Sequence, residues 1–227
     1  MESTNGEFPG SILNDKTYPQ KWISLFLLRK GGKMADSNIT KKALAKAFKE
    51  LLKEKPFNKI SINAICDKCG MNRKSFYYHF KDKYDLVNWI FETECLNELR
   101  DSETLIKDIL CKLCMYFYEN KSYYSKVFKI EGQNSFNDYF RELVEIGIRE
   151  RIIEIMGESE GTIFFAEVFT DTIMSTIRHW ILRKDPMEPE KFVDMLEKFV
   201  DMLEKFVVNC AIYINENNEK GEDRIVF

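Results

Sequence analysis

The stretch that decides the fold runs from Ser61 to Lys83 and reads SINAICDKCGMNRKSFYYHFKDK. The serine that opens it favours the N-cap of a helix, and apolar residues follow it at helical spacing. Gly70 then permits a sharp turn, so a second short helix is predicted to follow. Phe76 and Phe80 lie four residues apart in this second helix, and we expect both rings to point at the first one. The remaining side chains of the second helix should then face outward.

The outward face of the second helix carries groups that can bind a DNA duplex. It offers hydrogen-bond donors for base edges, together with basic and hydroxyl groups for phosphates. Two short helices joined by a glycine turn, the second of them presenting such groups, predict a helix-turn-helix that reads double-stranded DNA. The candidate base-edge or groove contacts are Asn72, Arg73, Lys74, Ser75 and Tyr77, and the candidate phosphate contacts are Ser61, Tyr78, His79 and Lys83.

The charge of the chain is strongly segregated. Residues 38–83 hold twelve Lys or Arg and four acids, a net charge of +8, so the rest of a chain with a net charge of -3 carries -11. DNA affinity depends first on the neutralisation of phosphates, and an acidic body has no such task. The asymmetry therefore predicts a basic DNA-binding head on an acidic body. The alternative, that these lysines are only solvated surface residues, does not explain why positive charge is concentrated in one segment.

Apolar residues recur at helical spacing through most of the chain, which has only ten Gly and five Pro in 227 residues. These features predict an all-α protein. The first helix of the head is expected at Asn38–Lys53, with an apolar stripe that begins at Ile39. Later helices are expected at Tyr84 to about Arg100, Glu103–Tyr118 after a cap at Ser102, Ser122–Ile130, the segment that Ser135 caps up to Met156, Thr162–Arg183 after a break bracketed by Gly157 and Gly161, and Glu190 to about Asn215.

The predicted helices divide the chain into three parts. Residues 1–33 differ in composition from the rest, and we interpret them as a translated leader before a natural start at Met34, or as a disordered arm. Residues 34–83 form the helix-turn-helix domain, and residues 84–227 form a helical domain for dimerisation and for the binding of a ligand or partner. A homodimer is expected because two recognition helices about 34 to 36 Å apart can read successive major grooves.

The six cysteines suggest either packing or thiol chemistry. No convincing signal peptide precedes them, so free thiols in the cytoplasm are expected. Cys66 and Cys69, like Cys111 and Cys114, have Cys-x-x-Cys spacing, but within a helix such a pair shares one face and packs as small apolar residues. Neither histidine stands at ligand spacing from a pair, so no metal or cofactor is predicted. A thiol-responsive or metal-responsive regulator is the alternative interpretation of the two pairs.

The body is rich in aromatic residues, which predict either a packed core or a ligand pocket. Glu167, Asp171 and Arg178 share one face of a predicted helix. They would serve as polar groups of a pocket if buried, or would form surface ion pairs if exposed. The candidate ligand-binding residues are Phe117, Tyr124, Phe128, Glu167, Asp171 and Arg178.

The last predicted helix contains an identical repeat. Both Glu190–Leu196 and Glu197–Leu203 read EKFVDML, and a third, partial copy follows directly. Seven residues are nearly two helical turns, so the repeat keeps Phe192, Phe199 and Phe206 on one face. Two and a half heptads are too few for a coiled coil that stands alone, and we therefore interpret the repeat as a duplicated packing segment.

The run from Gly70 to Lys83 resembles the recognition region of the TetR family of bacterial transcriptional regulators, and the match extends over about Ile39 to Leu86. This resemblance implies a dimer built from the last two long helices of each subunit and a fourth helix that links the head to the body. It also implies control of DNA binding by a small molecule or a protein partner. Shorter segments at 130–136, 164–166 and 180–181 resemble the subgroup of dihydroxyacetone-kinase regulators, some of which act through a protein partner.

Other functional classes find less support in the sequence. The chain has no Gly-rich phosphate loop, nucleophile elbow or metal-ligand constellation, so it is not predicted to be an enzyme. The apolar run Trp22–Leu28 is too short to cross a bilayer, so no contact with a membrane is predicted. A helical adaptor that binds only proteins is the main alternative, but it would not need a basic head. A steep fall of DNA affinity with rising salt would distinguish the DNA reader from the adaptor.

Overall fold

The computed structural model describes residues 38–96, 99 and 106–220. Within these ranges the chain is all helical, as predicted. The segment 1–33, interpreted as a leader or arm, lies outside the described residues, and so do the predicted cap at Ser102 and helix start at Glu103. The α-helices are α1 (Asn38–Glu54), α2 (Ile62–Lys68), α3 (Arg73–His79), α4 (Lys83–Phe91), α5 (Ile106–Glu119), α6 (Lys121–Val127), α7 (Phe136–Met156), α8 (Glu160–Leu182) and α9 (Pro189–Lys220).

Helices α1, α2 and α3 pack together through buried apolar residues that are continuous with the core of the body. Leu44 and Phe48 of α1 are fully buried, together with Ile65 of α2 and Phe76 of α3. The predicted stripe of α1 is wrong at its first position, because Ile39 is 86% exposed. Ile39 lies in the first turn of α1, and the buried positions of this helix begin only at Leu44, about one and a half turns later.

Helix α4 begins with a strong cap and ends in an irregular turn. The carboxylate of Asp82 accepts hydrogen bonds from the backbone N–H groups of Tyr84 and Asp85, at 2.8 and 2.9 Å. The α-helical part ends at Phe91 and continues as a π-helix, Glu92–Leu96, so the helix predicted to about Arg100 contains an irregular turn that the sequence did not indicate. Single π-helical turns within α-helices occur frequently at functional sites.

The π-helix joins the head to the body. The Glu94 carboxylate accepts a hydrogen bond from the Tyr116 hydroxyl of α5 at 3.0 Å, and it pairs with the ammonium of Lys49 in α1. The Glu92 carboxylate accepts a hydrogen bond from the Tyr139 hydroxyl of α7. One irregular turn therefore contacts three helices, and two of its side chains supply the acceptors.

Helices α4 to α7 share an aromatic core. The rings of Phe91 and Phe117 stack with their centroids 5.8 Å apart, and Phe117 lies 4.7 Å from Tyr124. Phe136 and Phe140 stack at 5.8 Å with an angle of 4° between their planes. Such ring pairs contribute about 0.5–1.5 kcal/mol each beyond the area that they bury. The centre of the body is thus held mainly by stacked and edge-on rings.

Two predicted helix starts in the body need correction. Helix α6 begins at Lys121 rather than Ser122, and Asn120 occupies the N-cap without a side-chain hydrogen bond. Helix α8 begins at Glu160, because the Ser159 hydroxyl accepts a hydrogen bond from the backbone of Thr162 at 3.1 Å. Gly161 therefore lies inside α8 and does not end the break that precedes it.

The repeated segment of α9 is only partly buried. Phe192, in the first copy, is 7% exposed and stacks on Trp180 of α8 at 4.4 Å. Phe206, in the third copy, is 49% exposed and meets Phe165 of α8 edge-on at 6.0 Å. A straight α-helix drifts by about 20° per heptad, so a strict seven-residue repeat turns away from a neighbouring helix. The packing interpretation holds for Phe192 in the first copy, whereas in the third copy Val207 is buried and Phe206 is left half-exposed.

No helix among the described residues is both long enough and apolar enough to cross a bilayer.

The caps of α6 and α7 give a matched pair of stability predictions. Ser135 caps α7 as predicted and forms a capping box with Asp138, in which each side chain accepts a hydrogen bond from the other residue's backbone. We expect Ser135→Ala to lower the free energy of unfolding by about 0.5–2 kcal/mol, as other lost N-caps do. Ser122→Ala should change it by less than about 0.5 kcal/mol, because this exposed serine caps nothing. Urea unfolding followed by circular dichroism measures both, and equal losses would contradict the assignment.

Candidate nucleic-acid interface

The turn between α2 and α3 depends on one glycine. Gly70 has φ +69°, a backbone conformation that side chains with a Cβ rarely adopt. The following residue, Met71, donates its backbone N–H to the carbonyl of Cys66 at 2.9 Å, which closes the end of α2. At the other end of α2, the hydroxyl of Ser61 accepts a hydrogen bond from the backbone of Ala64 at 3.1 Å, as predicted for an N-cap.

Helix α3 begins with a cap that uses two of the predicted DNA-contacting residues. The Oδ1 atom of Asn72 accepts hydrogen bonds from the backbone N–H of Ser75 at 2.9 Å and from its hydroxyl at 3.2 Å. Asn72 is the N-cap of α3, so its amide oxygen is already engaged and its NH₂ group is the part that faces outward. Both residues therefore have a structural role that the sequence interpretation did not assign to them.

Two rings hold α3 against the head. Phe76 is fully buried and Phe80 is 2% exposed, which confirms that both point inward. They contact each other at 5.7 Å, and Phe80 meets Trp89 of α4 edge-on at 5.6 Å. The ammonium of Lys41 in α1 lies 5.9 Å from the centre of the Phe80 ring. Because this side of α3 is packed, its opposite side is fixed in direction.

The opposite side of α3 is open. Tyr78 is 84% exposed and Tyr77 is 50% exposed, and Arg73 and Lys74 also face solvent. The guanidinium of Arg73 lies over the ring of Tyr77 at 5.7 Å and donates a hydrogen bond to its hydroxyl at 3.4 Å. Such stacking limits the rotamers of a long side chain before any ligand binds. The four residues form a continuous polar surface, which we call the α3 face.

His79 lies at the edge of the α3 face and is half-buried. Its ring meets Tyr78 edge-on at 4.8 Å and Phe80 at 6.5 Å. Partial burial and the nearby ammonium of Lys41 lower the pKa of His79. The neutral imidazole is therefore favoured near neutral pH, so His79 acts as a hydrogen-bonding group rather than as a fixed positive charge.

Lys83 does not face outward as the sequence interpretation expected. Its ammonium donates hydrogen bonds to the backbone carbonyls of Phe57 at 2.9 Å and Ile60 at 2.8 Å, and it lies 4.1 Å from the centre of the Phe57 ring. Burial lowers the pKa of Lys83. Two of its three N–H donors thus hold the turn between α1 and α2, a single 3₁₀ turn at Phe57–Lys59, in place. No local sequence signal marks this contact, because its two partners lie 23 and 26 residues away.

The cysteine pairs lie in packed surroundings. Cys66 and Cys114 are buried, and none of the six cysteines is part of a disulfide. Burial raises the pKa of Cys66, of Cys69 and, to about 12, of Cys114. These cysteines therefore stay as thiols at neutral pH and are poor nucleophiles and metal ligands. Among the described residues, no group of three His, Cys, Asp or Glu side chains could hold a metal ion.

The aromatic candidates for a ligand site are core residues. Phe117, Tyr124 and Phe128 are at most 1% exposed, and their ring centroids lie 4.7 to 6.4 Å apart. The Tyr124 hydroxyl donates a hydrogen bond to the hydroxyl of Tyr116 at 3.2 Å. The rings cover one another, and the hydroxyl of Tyr124 has a protein partner. Of the two alternatives that the sequence left open for these residues, the structure therefore supports the packed core.

The charged candidates for a ligand site are exposed. Glu167, Asp171 and Arg178 all lie on the solvent side of α8. Asp171 forms an ion pair with Arg141 of α7 at 2.9 Å, and Arg178 donates a hydrogen bond to the carbonyl of Phe128 at 3.2 Å. The structure therefore does not bring the six predicted ligand-binding residues around one pocket, and the exposed ion pair stabilises the fold by under about 1 kcal/mol.

Comparison with known families covers both halves of the described chain. Residues 44–90 match the model for bacterial regulatory proteins of the tetR family. Residues 105–202 match a model for the C-terminal region of a transcriptional regulator. Together the two models match more than half of the 227 residues.

One curated relative is the HTH-type dhaKLM operon transcriptional activator DhaS of Lactococcus lactis subsp. lactis (strain IL1403). It is 32% identical over 109 residues, which cover 47% of this chain and 57% of the relative. The match thus spans little more than half of that relative's length.

Solved structures of similar fold include the dihydroxyacetone kinase operon activator DhaS, which is 25% identical with a TM-score of 0.53 and is matched over 75% of this chain and 98% of its own. A TetR transcriptional regulator from Streptococcus agalactiae 2603V matches with a TM-score of 0.56 at 21% identity, over 72% and 93% of the two chains. NalD, the secondary repressor of the MexAB-OprM multidrug efflux pump in Pseudomonas aeruginosa, matches with a TM-score of 0.50 at 18% identity, over 74% and 97%.

The glycine turn, the outward α3 face and the two matched models agree with one another. The chain belongs to the TetR family of bacterial transcription regulators.

Proposed function

We propose that this regulator binds a double-stranded operator as a homodimer, and that a small molecule or a protein partner bound by the body controls its DNA binding. In this proposal residues 34–83 are the DNA-binding domain and residues 84–227 are the dimerisation and effector domain, in a cytoplasmic protein. The observation that carries it is the α3 face, an exposed polar surface whose reverse side is fixed by Phe76 and Phe80. This surface lies within a segment whose net charge is +8.

The residues of α3 divide into two kinds of DNA contact in this proposal. Arg73 and Lys74 lie in the first turn of α3 and are exposed, which suits them to base edges in the major groove. Tyr77 holds Arg73 through its ring and would enter the groove with it. The NH₂ group of Asn72 and the hydroxyl of Ser75 lie at the start of the same helix and can add groove contacts.

The phosphate contacts are proposed for residues at the margin of the α3 face. Ser61 caps α2, whose N-terminal N–H groups favour an anion. Tyr78 is the most exposed aromatic ring of the head, and the neutral His79 can donate one hydrogen bond beside it. Lys83 has one N–H donor left after its two contacts with backbone carbonyls, so its role in DNA binding is secondary to its role in the head.

The dimer proposal is supported by apolar side chains on α8 and α9. Most of the exposed large apolar residues of the described chain lie on these two helices. Large apolar side chains exposed on two helices favour contact with another protein surface, and the same surface on two copies can pair across a twofold axis. The residues are Ile163, Phe164 and Val168 of α8, and Met195, Met202, Phe206, Ile212 and Tyr213 of α9.

The similarity to two proteins named DhaS supports a role in the control of an operon for dihydroxyacetone utilisation. The test is to incubate the purified chain with fragmented genomic DNA of its source, recover the bound fragments and sequence them. We expect enrichment of a palindromic site next to genes for dihydroxyacetone phosphorylation, and loss of binding as salt rises, because phosphate contacts release counterions. A chain that enriches no sequence at low salt would contradict the proposal in favour of a protein adaptor.

Two substitutions on the α3 face should separate base contacts from phosphate contacts. Arg73→Ala should weaken binding to the preferred operator by about 1–3 kcal/mol and weaken altered operators less, because a base-reading side chain is lost. Tyr78→Phe should weaken all duplexes alike by about 1 kcal/mol, because one phosphate hydrogen bond is lost from an exposed ring. Fluorescence anisotropy with a set of operator variants measures both, with Arg183→Ala, an exposed arginine at the end of α8, as the control. Parallel losses for Arg73→Ala on every sequence would refute its assignment to a base.

The dimer interface can be tested with charges on its two helices. The double variant Phe164→Glu and Met202→Glu should be monomeric in light scattering, because two buried carboxylates per subunit would oppose association. Its affinity for a palindromic operator should fall by at least about 10-fold, since the two heads no longer bind as a linked pair. Met115→Glu, at an exposed apolar residue of α5, should leave the mass and the affinity unchanged. A dimer that survives the double substitution would place the interface elsewhere.

A further inference from the structure

A cleft of about 820 Å³ opens between the head and the body, away from the α3 face. One wall comes from the end of α1 and the turn after it, and the start of α4 adds Lys83 and Tyr84. The other wall comes from Lys126 of α6 and the loop that joins α6 to α7. The volume lies within the range of natural sites for small molecules. Any molecule in this cleft would touch both the head and the body.

The rim of the cleft is basic on both sides. Lys53 and Lys55 stand on the head wall and Lys129 stands on the body wall, and all three side chains are exposed or half-buried. With Lys83 and Lys126 the lining holds five lysines, against the two acids Glu54 and Glu131. Like charges on facing walls repel one another, so an anion between the walls would be attracted by both and would relieve that repulsion.

The lysines of the cleft fall into two groups. Lys126 donates hydrogen bonds to the carbonyls of Leu52 at 2.7 Å and Lys53 at 2.9 Å, and thereby caps the C-terminus of α1 from the body. Lys83 is held by backbone carbonyls in the same way. The ammonium groups of Lys53, Lys55 and Lys129 make no hydrogen bond or ion pair with any of the residues that the structure describes around the cleft. Lys83 and Lys126 thus stabilise the walls of the cleft. The other three ammonium groups are available to bind an anion in it.

The body wall is shaped to meet the head. The amide of Asn137 donates hydrogen bonds to the carbonyls of Phe128 and Ile130, both at 3.2 Å, which fixes the start of the loop. The hydroxyl of Tyr84 donates a hydrogen bond to the carbonyl of Glu131 at 3.2 Å. A Cβ atom on the next residue, Gly132, would lie 2.7 Å from that hydroxyl. The cleft is therefore formed before any ligand arrives, so little ordering is needed for binding.

We propose that this cleft binds a small phosphorylated metabolite, with its phosphate oxygens held by Lys53, Lys55 and Lys129. The floor contains the rings of Phe57 and Tyr84, 4.9 Å apart, beside Pro56 and Ile130. An apolar floor with cationic groups at its rim suits a phosphate ester, whose organic part covers the floor while its phosphate reaches the rim. Occupancy would tie the end of α1 to the loop before α7 and so hold the head against the body.

The test uses pyrophosphate as the probe, the purified full-length chain and no DNA. Pyrophosphate in the millimolar range, with ionic strength matched by chloride, should raise the Tm of the wild-type chain by about 3–6 °C if its concentration is roughly ten times its dissociation constant. The variant Lys53→Gln, Lys55→Gln and Lys129→Gln should lose this shift. The control variant Lys112→Gln, Lys184→Gln and Lys191→Gln removes three exposed lysines elsewhere and should keep it.

A second measurement separates a metabolite site from a part of the DNA interface, because DNA phosphates share the same chemistry. Without pyrophosphate, the variant at residues 53, 55 and 129 should bind a duplex within about 3-fold of the control variant, since both lose three positive charges. A Tm shift that is equal in all three proteins would overturn the proposal. A loss of DNA affinity greater than about 10-fold relative to the control would also overturn it, because the lysines would then serve the DNA backbone.

Discussion

The burial of Phe76 and Phe80 is the contact on which the candidate interface depends. Helix α3 has only seven residues, and isolated helices shorter than about 12–15 residues are marginal in water. Its shape must therefore come from the N-cap of Asn72 at one end and from two rings packed on α1 and α4 along one side. Because one side of α3 is packed against the head, its opposite side must face solvent. Arg73, Lys74 and Tyr78 are therefore exposed together.

Positive charge in the head has more than one use. A net charge of +8 over residues 38–83 suggests many phosphate contacts. Some of these lysines, however, contact other groups of the protein itself. Lys83 holds the turn after α1, and the ammonium of Lys41 lies 5.8 Å from the Trp89 ring. Lys68 pairs with Glu50 and Glu54 of α1 at 3.4 and 3.6 Å. The charge of a basic segment therefore gives an upper limit on its DNA contacts, and burial and hydrogen bonds decide which lysines are left for them.

The sequence predicted what local chemistry controls. The N-caps at Ser135 and Ser61 and the inward direction of Phe76 each follow from residues within one or two turns, and the structure confirms them. It could not predict what distant partners decide. The π-helical end of α4 arises where two carboxylates reach hydroxyls on α5 and α7, and Lys83 is drawn inward by carbonyls more than twenty residues away. Ile39 fits the apolar stripe of α1 by spacing, yet it is 86% exposed.

Besides the apolar core that head and body share, the joint between them has polar contacts of modest strength. The ammonium of Lys126 caps α1, the hydroxyl of Tyr84 binds the carbonyl of Glu131, and Lys49 pairs with Glu94. Each of these polar contacts is partly exposed, and such a contact contributes about 1 kcal/mol. Coupling energies between two binding sites are typically about 1–3 kcal/mol, which is the sum of only a few contacts of this size. These polar contacts are thus weak enough for the binding energy of a ligand or partner to change them, and with them the position of the head on the body.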